Sequence, residues 1–221
     1  MEDRAAIMAL PFTVRTVEPA AYLVRDGEPS AECAVLLDGF VIRHKLTGDG
    51  NRQIVAMHIP GDPLDFQTLF LEVADHNLQA LTRATIAAIP RGVVEALMAE
   101  RPGIARAVTV NILAEASVAR EWLLNTGRRD ARARLAHLLC EFAARMDAQG
   151  LGDDNAYELP MTQEQLGDTL GLTSVHVNRT LRALEIEGYI RRHGRRIRVE
   201  RMDEMCRIGD FDPRYLHLGG R

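Results

Sequence analysis

The sequence predicts an α+β chain: a β-rich N-terminal domain, one long helix, and a C-terminal winged helix-turn-helix. Three observations predict it. Short apolar runs punctuated by glycine turns fill residues 11–100. Residues 104–126 hold a helical apolar pattern free of Gly and Pro. Residues 161–190, MTQEQLGDTLGLTSVHVNRTLRALEIEGYI, read as two short helices joined by a tight turn, with an arginine-rich hairpin directly after them.

In the first domain the runs Ala34–Leu37, Phe40–His44, Gln53–His58, Leu78–Leu81 and Thr85–Ile89 are strand candidates. Asp38-Gly39 and Gly48-Asp49-Gly50 are hairpin turns, because glycine accepts the positive φ that such turns need. Pro60-Gly61-Asp62-Pro63 is a further break. Evenly spaced short strands of this kind suggest a sandwich or a barrel. A short helix is expected over Arg91–Glu100, stopped by Arg101-Pro102-Gly103.

On the long helix Ala105, Val108, Ile112, Ala116, Ala119 and Leu123 fall three or four residues apart and form one stripe. Val110, Leu113 and Leu124 lie off that stripe. Two apolar sides imply two neighbours, the β domain and a second subunit. The dimer contact is expected at Val108, Ile112, Ala116, Ala119 and Leu123. Asn125-Thr126-Gly127 is expected to break the helix and to act as a hinge over residues 125–129. Asp130 then caps a helix with Leu135, Leu138, Leu139 and Phe142 inward, and residues 148–156 form a polar loop. The expected organisation is 1–103 for the β domain, 104–126 for the dimer helix, 127–202 for the winged helix and 203–221 for a loose tail.

The C-terminal motif carries the most information. Thr162 is placed to cap the first helix with its hydroxyl. Leu166 and Leu170 share its apolar face, and Gly171 ends it where a left-handed residue is cheap. Thr173 is placed to cap a second helix over about residues 173–184, with Val177, Leu181 and Leu184 inward. Ser174, Val175, His176, Asn178, Arg179 and Arg182 are left outside. This is the layout in which a second helix enters the DNA major groove. The hairpin RRHGRRIRV turns at His193-Gly194 and supplies a basic wing.

Net charge is −4, yet the distribution favours a polyanionic partner. Residues 1–103 hold nine Lys/Arg against fourteen Asp/Glu, whereas residues 179–198 hold seven Arg against Glu185 and Glu187. Phosphate responds to the local field rather than to the whole-chain sum. No apolar run is long enough for a membrane span. MEDRAAIMAL lacks the basic start and apolar core of a signal peptide, so the cytoplasm is expected. Cys33, Cys140 and Cys206 are scattered, which fits a reducing compartment; Cys140 is expected in the core and Cys206 is the more reactive candidate. His44, His58 and His76 match no metal spacing. No nucleophile–base pair, metal cluster or phosphate loop is present, so no enzyme activity is expected.

LLDGFVIRHKLTGDGNRQIVAMHIPGD and TQEQLGDTLGLTSVHVNRTLRALEIEGYI resemble segments of the Crp/Fnr superfamily of bacterial transcription regulators. The resemblance spans residues 12–202. It implies an antiparallel β-roll like those that bind cyclic nucleotides. It also implies a homodimer on a two-fold symmetric double-stranded DNA site, contacting RNA polymerase. The departures matter as much. Members that bind cyclic AMP have a Gly-Glu-Leu segment and then an Arg-Ser or Arg-Thr pair for the phosphate. Here Asp65-Phe66 stands in the Gly-Glu region, and no arginine lies between Gly61 and Leu81. A buried phosphate with no cation loses most of its binding energy. No cysteine precedes Cys33, so the iron–sulfur centre of oxygen-sensing members lacks its ligands. No cofactor is therefore expected.

The commonest recognition pattern of the family has Glu and then Arg four residues later. Val175 stands at the Glu position and Arg179 at the Arg position. Base contacts are thus expected from Arg179, Val175, His176 and Asn178. Phosphate contacts are expected from Thr162, Thr173, Ser174, Arg182, Arg191, Arg192, Arg195 and Arg196. The competing reading is a protein-interaction module whose winged helix no longer reads DNA.

Overall fold

The computed structural model describes residues 2–218. The chain divides into two compact units, residues 1–116 and 117–221. Among the described residues no helix is long and apolar enough to cross a membrane.

The first unit begins with a short helix α1 (Glu2–Met8) and strands β1 (Thr13–Val17) and β2 (Tyr22–Val24). Strands β3 (Glu32–Asp38), β4 (Val41–Leu46), β5 (Arg52–His58), β6 (Pro63–Leu64), β7 (Asn77–Ala80) and β8 (Ala84–Pro90) follow. They build two antiparallel four-stranded sheets, ordered β1-β8-β3-β6 and β2-β7-β4-β5. The five strand candidates are all present, and Asp38-Gly39 and Gly48–Gly50 make the turns between β3, β4 and β5. Leu36, Val41, Leu64, Leu78, Ala80, Ala84 and Ile86 form the buried centre. Period-two alternation puts these residues on inward faces. Helix α2 (Arg91–Glu100) coincides with the expected one.

Helix α3 runs from Pro102 to Arg128. The expected break at Asn125-Thr126-Gly127 is absent. The Thr126 hydroxyl donates to the Trp122 carbonyl four residues back, at 2.9 Å. Asn125 is fully buried, and its Oδ1 accepts from Arg129 NH1 at 3.4 Å. A single glycine in a helix costs only ~1 kcal/mol, which these local bonds offset. The chain turns instead at Asp130, whose carboxylate accepts from Ala133 N–H at 2.8 Å.

A second correction concerns the apolar stripe. Val108 is buried in the first unit's own core with Cys33, Leu69, Ile89 and Val94, and Ile112 packs against the same cluster. Val108 is therefore closed to a second subunit, and Ile112 is half-buried. Ala116, Ala119 and Leu123 are exposed, as are Val110, Leu113 and Leu124, which had been set aside as off the stripe.

The second unit is built on α4 (Ala131–Ala148), with Leu135, Leu138, Leu139 and Phe142 buried as expected. Strand β9 (Ala156–Glu158), at the end of the predicted loop, precedes α5 (Gln163–Leu170) and α6 (Ser174–Ile186). Strands β10 (Ile190–His193) and β11 (Arg196–Val199) form the wing, and β9 completes the sheet in the order β10-β11-β9.

The expected loose tail is a folded element as far as Leu218; residues 219–221 lie outside the described residues. Helix α7 (Met202–Gly209) and a 3₁₀ turn (Pro213–Leu216) bury Met205 and Leu216. Gly209 meets α4 so closely that an added Cβ would lie 2.6 Å from the His137 backbone nitrogen.

A polar chain locks this contact. His137 is fully buried, with Nδ1 3.1 Å from the Gly209 carbonyl and Nε2 2.9 Å from the Tyr215 hydroxyl. That hydroxyl is also 2.6 Å from Oε2 of buried Glu141. A carbonyl can only accept, so Nδ1 of His137 carries a proton toward Gly209. The Tyr215 hydroxyl donates to Glu141 Oε2, which also accepts from Trp122 Nε1 at 3.0 Å. Burial acts in the same sense on both groups. It lowers the His137 pKa from 6.5 to about 4 and raises that of Glu141 above the usual carboxylate range.

Two predictions follow from this contact. Gly209→Ala should destabilise the protein by ~1–3 kcal/mol in urea unfolding, since a methyl group there is overpacking. Below pH 6.5 the unfolded state takes up a proton that folded His137 refuses until about pH 4. The His137 contribution to stability is therefore lost as pH falls through that window, on the order of 3 kcal/mol in all. Glu141 works in the opposite direction, so the His137 share is read by comparing wild type with His137→Gln. Wild type should lose more stability between about pH 7 and about pH 5; equal losses would refute the assignment.

Candidate nucleic-acid interface

The two helices of the motif are fixed by their caps and by one close turn. The Thr162 hydroxyl accepts from Gln165 N–H at 3.2 Å, and Gln165 Oε1 accepts from Thr162 N–H at 2.8 Å, a complete capping box. Gly171 takes the left-handed conformation, with φ 64°. A Cβ on Gly167 would lie 2.5 Å from the Leu172 carbonyl oxygen, so the turn demands glycine there too. The Thr173 hydroxyl accepts from His176 N–H at 3.3 Å and starts α6. Val177, Leu181 and Leu184 are buried beneath it.

The opposite face of α6 is open. Ser174, Val175, Asn178, Arg179 and Arg182 are exposed and His176 is half-buried. Val175 is 77% exposed, a large cost for an aliphatic side chain with no protein partner. Among the described residues neither Arg179 nor Arg182 forms an ion pair. The first turn of α6 holds no acidic residue. An Arg in this position can give two hydrogen bonds to guanine O6 and N7, and a Val can pack on a thymine methyl.

The wing divides the four expected phosphate contacts. Arg192 is held by Glu185 of α6, with NH2 2.6 Å and Nε 3.1 Å from Oε2 and the Arg192 N–H donating to Oε1 at 3.3 Å. It fastens β10 to α6. The same contact, through its hydrogen bonds first, holds the Glu185 carboxyl below its usual range. Arg191 pairs with Glu200 at 3.1 Å and Arg196 with Asp153 at 2.9 Å. Arg195 alone of the four has no ion pair among the described residues, and it is exposed at the wing tip. Thr162 and Thr173 are occupied as caps, with their hydroxyls at the exposed helix starts.

Several residues of the interface escaped the sequence reading. Arg132 of α4 grips Glu187 at the end of α6 with two bonds, 2.7 and 2.5 Å. The Tyr189 ring lies 5.5 Å from the Arg132 guanidinium and 4.0 Å from that of Arg201. Arg134 NH1 donates to the Leu170 carbonyl at 3.0 Å, closing the C-terminal end of α5. Nothing in the local sequence pairs these residues.

In the first unit a charge cluster occupies the stretch where the resemblance would place a ligand phosphate. Asp65 is buried in a left-handed conformation, with φ 59°. His76 Nε2 lies 3.0 Å and Arg43 NH2 3.9 Å from its carboxylate. Arg43 NH1 donates to Glu115 of α3 at 2.9 Å. No arginine occurs in the local segment, yet β4 delivers one from twenty-two residues earlier, already engaged by two carboxylates. Asp75 Oδ1 and His76 Nδ1 are 2.9 Å apart. Cys33 is buried beside this cluster, and burial first, then Asp65, raises its thiol to about 11. Among the described residues no group of three or more His, Cys, Asp or Glu is placed to hold a metal ion.

An antiparallel β-roll and a winged helix with an open, basic recognition face define a two-domain DNA-binding regulator. Residues 133–208 match the Crp-like helix-turn-helix domain family, and residues 14–101 match the cyclic nucleotide-binding domain family. A probable transcriptional activator of Rhizobium leguminosarum bv. viciae is 30% identical over 195 residues, covering 88% of this chain and 80% of that protein. The transcriptional activator FnrL of Cereibacter sphaeroides is 29% identical over 198 residues, covering 88% and 79%. The structure of FixK2 from Bradyrhizobium japonicum superposes with a TM-score of 0.81 at 26% identity, covering 90% of this chain and 98% of that one. The chain belongs to the Crp/Fnr family of transcription regulators, and it is a sequence-specific DNA-binding protein of that family.

The sorting of arginines gives a test by salt dependence. Arg195→Ala should reduce the slope of log affinity against log salt by about one per subunit. Arg192→Ala should leave that slope almost unchanged. Arg179→Ala should cost ~1–3 kcal/mol per half-site and relax selection at one base pair. If Arg192→Ala changes the slope as much as Arg195→Ala does, the assignment of Arg192 to wing fastening is wrong.

Proposed function

We propose that the chain works as a cytoplasmic homodimer on a two-fold symmetric duplex site, and contacts RNA polymerase from there. It needs neither cyclic AMP nor an iron–sulfur centre in the manner usual for the family. The observation that carries the DNA-reading part is the open face of α6, where Val175, Asn178, Arg179 and Arg182 stand exposed. With Val175 in place of the usual Glu, the half-site differs from that read by Glu-containing members. Half-sites lie about one helical turn apart.

The dimer contact runs along α3 through Leu113, Ala116, Leu123 and Leu124, which share one helical face and are exposed. Leu113 is 61% and Leu123 74% exposed, which is unusual for aliphatic side chains so spaced unless a partner covers them. This face replaces the one centred on Val108 and Ile112.

Against the usual ligand stands the cluster of Arg43, Asp65, His76 and Glu115. A cyclic phosphate would have to strip Arg43 of its carboxylates and would meet buried Asp65. Separating a buried pair costs several kcal/mol. The cluster itself takes the place of a bound anion, and the protein is competent for DNA as made.

Selection from a randomised duplex pool with ligand-free protein at moderate salt tests this. A palindrome should be enriched, and added cyclic AMP should not change it. Salt-sensitive binding without enrichment would mean that an effector is missing. No binding at any salt would favour the interaction-module reading. Leu113→Glu should shift the protein to monomer in sedimentation velocity and weaken binding to the full site far more than to a half-site. An unchanged dimer would place the contact elsewhere.

A further inference from the structure

We propose that Cys140 and Cys206 form an oxidisable pair, in which Cys206 meets a hydroperoxide and Cys140 resolves it into an intramolecular disulfide. The geometry comes from the approach of α7 to α4. At Gly209 and His137 the backbones are so close that no Cβ fits between them. Cys140 lies three residues after His137 on α4, and Cys206 three residues before Gly209 on α7. One helical turn from the tightest contact the two side chains therefore face each other, and their thiols are hydrogen-bonded. Disulfides need Cα atoms within about 4.4–6.8 Å and Cβ atoms facing one another. A glycine-mediated helix contact one turn away brings the two backbones toward that range.

The two thiols are not equivalent. Cys140 is 1% exposed, whereas Cys206 is partly open to solvent. The hydrogen bond with Cys140 lowers the Cys206 thiol from 9.0 to about 7, with burial and Asp203 opposing. That bond and burial hold Cys140 far above the usual range. Cys206 is thus the nucleophile and Cys140 the protonated donor beside it. Cys33 lies in the other unit and is buried.

The chemistry balances with a hydroperoxide as the oxidant. The Cys206 thiolate attacks one peroxide oxygen, the O–O bond breaks, and Cys206 becomes a sulfenic acid as hydroxide (or alkoxide) leaves and takes a proton from solvent to give water (or alcohol). The Cys140 sulfur then attacks the Cys206 sulfur, the S–O bond breaks, and the hydroxyl leaves as water with the Cys140 proton. Two thiols are oxidised by two electrons and the peroxide is reduced by two. Such a bond in a reducing compartment is transient and returns to thiols by exchange. It would tie α7, which supplies Gly209 to His137, covalently to α4.

The test uses the full-length protein treated with a small excess of hydrogen peroxide, quenched with an alkylating reagent and digested without reductant. The expected product is a peptide joining Cys140 to Cys206 within one chain, lighter by two hydrogens and restored by dithiothreitol. Cys33 should remain alkylatable, and Cys206→Ser should abolish the product. In Cys140→Ser, Cys206 should go on to sulfinic acid; if that variant does not fold, the wild-type digest still decides. Cys206 sulfinic acid in wild type without the linked peptide would overturn the proposal. So would a link between chains, or two thiols that both stay alkylatable.

Discussion

A guanidinium drawn out of water must take a carboxylate with it, and in this chain that requirement sorts the arginines by function. All but one of the 27 basic residues are arginine, so composition alone distinguishes none of them. The structure does. Seven arginines fall between residues 179 and 198, and four of them are already held by Glu200, Glu185, Asp153 and Asp154. Among the described residues, Arg179, Arg182 and Arg195 are the three that no carboxylate offsets, whereas the pairs at Arg191, Arg196 and Arg198 are solvent-exposed and open to competition from a polyanion. The acids on α6 are confined to its C-terminal end, where Glu185 holds Arg192 and Glu187 holds Arg132. The same helix is thus anchored at one end by ion pairs and left acid-free at the other, where a polyanion would approach.

The rule acts a second time inside the β-roll. Arg43 and Asp65 are buried side by side, 3.9 Å apart, with Glu115 bonded to Arg43 and His76 beside Asp65, while Arg43 Nε and NH2 and both Asp65 oxygens make no hydrogen bond among the described residues. The link from Arg43 to Glu115 also joins β4 to α3 within the first unit.

Patterns of short range were legible in the sequence and partnerships of long range were not. Strands β3, β4, β5, β7 and β8, helix α2, the capping box and both motif helices were readable because period, turn residue and cap lie within a few positions of one another. The faces of α3 were readable as well, but not which neighbour takes which face. Periodicity placed Val108 and Ile112 on one stripe and could not tell that the roll itself covers it. The helix end was misplaced because Asn125 and Thr126 satisfy their side chains within the fold rather than breaking the backbone. The pairing of Arg196 was not readable, because Asp153 comes from a loop more than forty residues away. Residues 203–218 looked loose because α7 is only eight residues long and the groups that bind it, His137 and Glu141, lie more than seventy residues earlier.

That polar seam explains why so short a tail can hold one position. An apolar tail on α4 could slide by a turn and still bury similar area, since the hydrophobic effect is non-directional. Here a slip would leave His137, Glu141 and the Tyr215 hydroxyl without partners in a buried site. Each such group costs ~1–3 kcal/mol, so a single register is favoured over its neighbours. Replacing the seam by leucines of equal volume could stabilise the unit further, and the register would then be lost. The facing of Cys206 and Cys140 depends on that register, because it lies one helical turn from the contact of Gly209 with His137. The same buried proton arrangement that makes the unit sensitive to acid therefore sets where its two thiols meet.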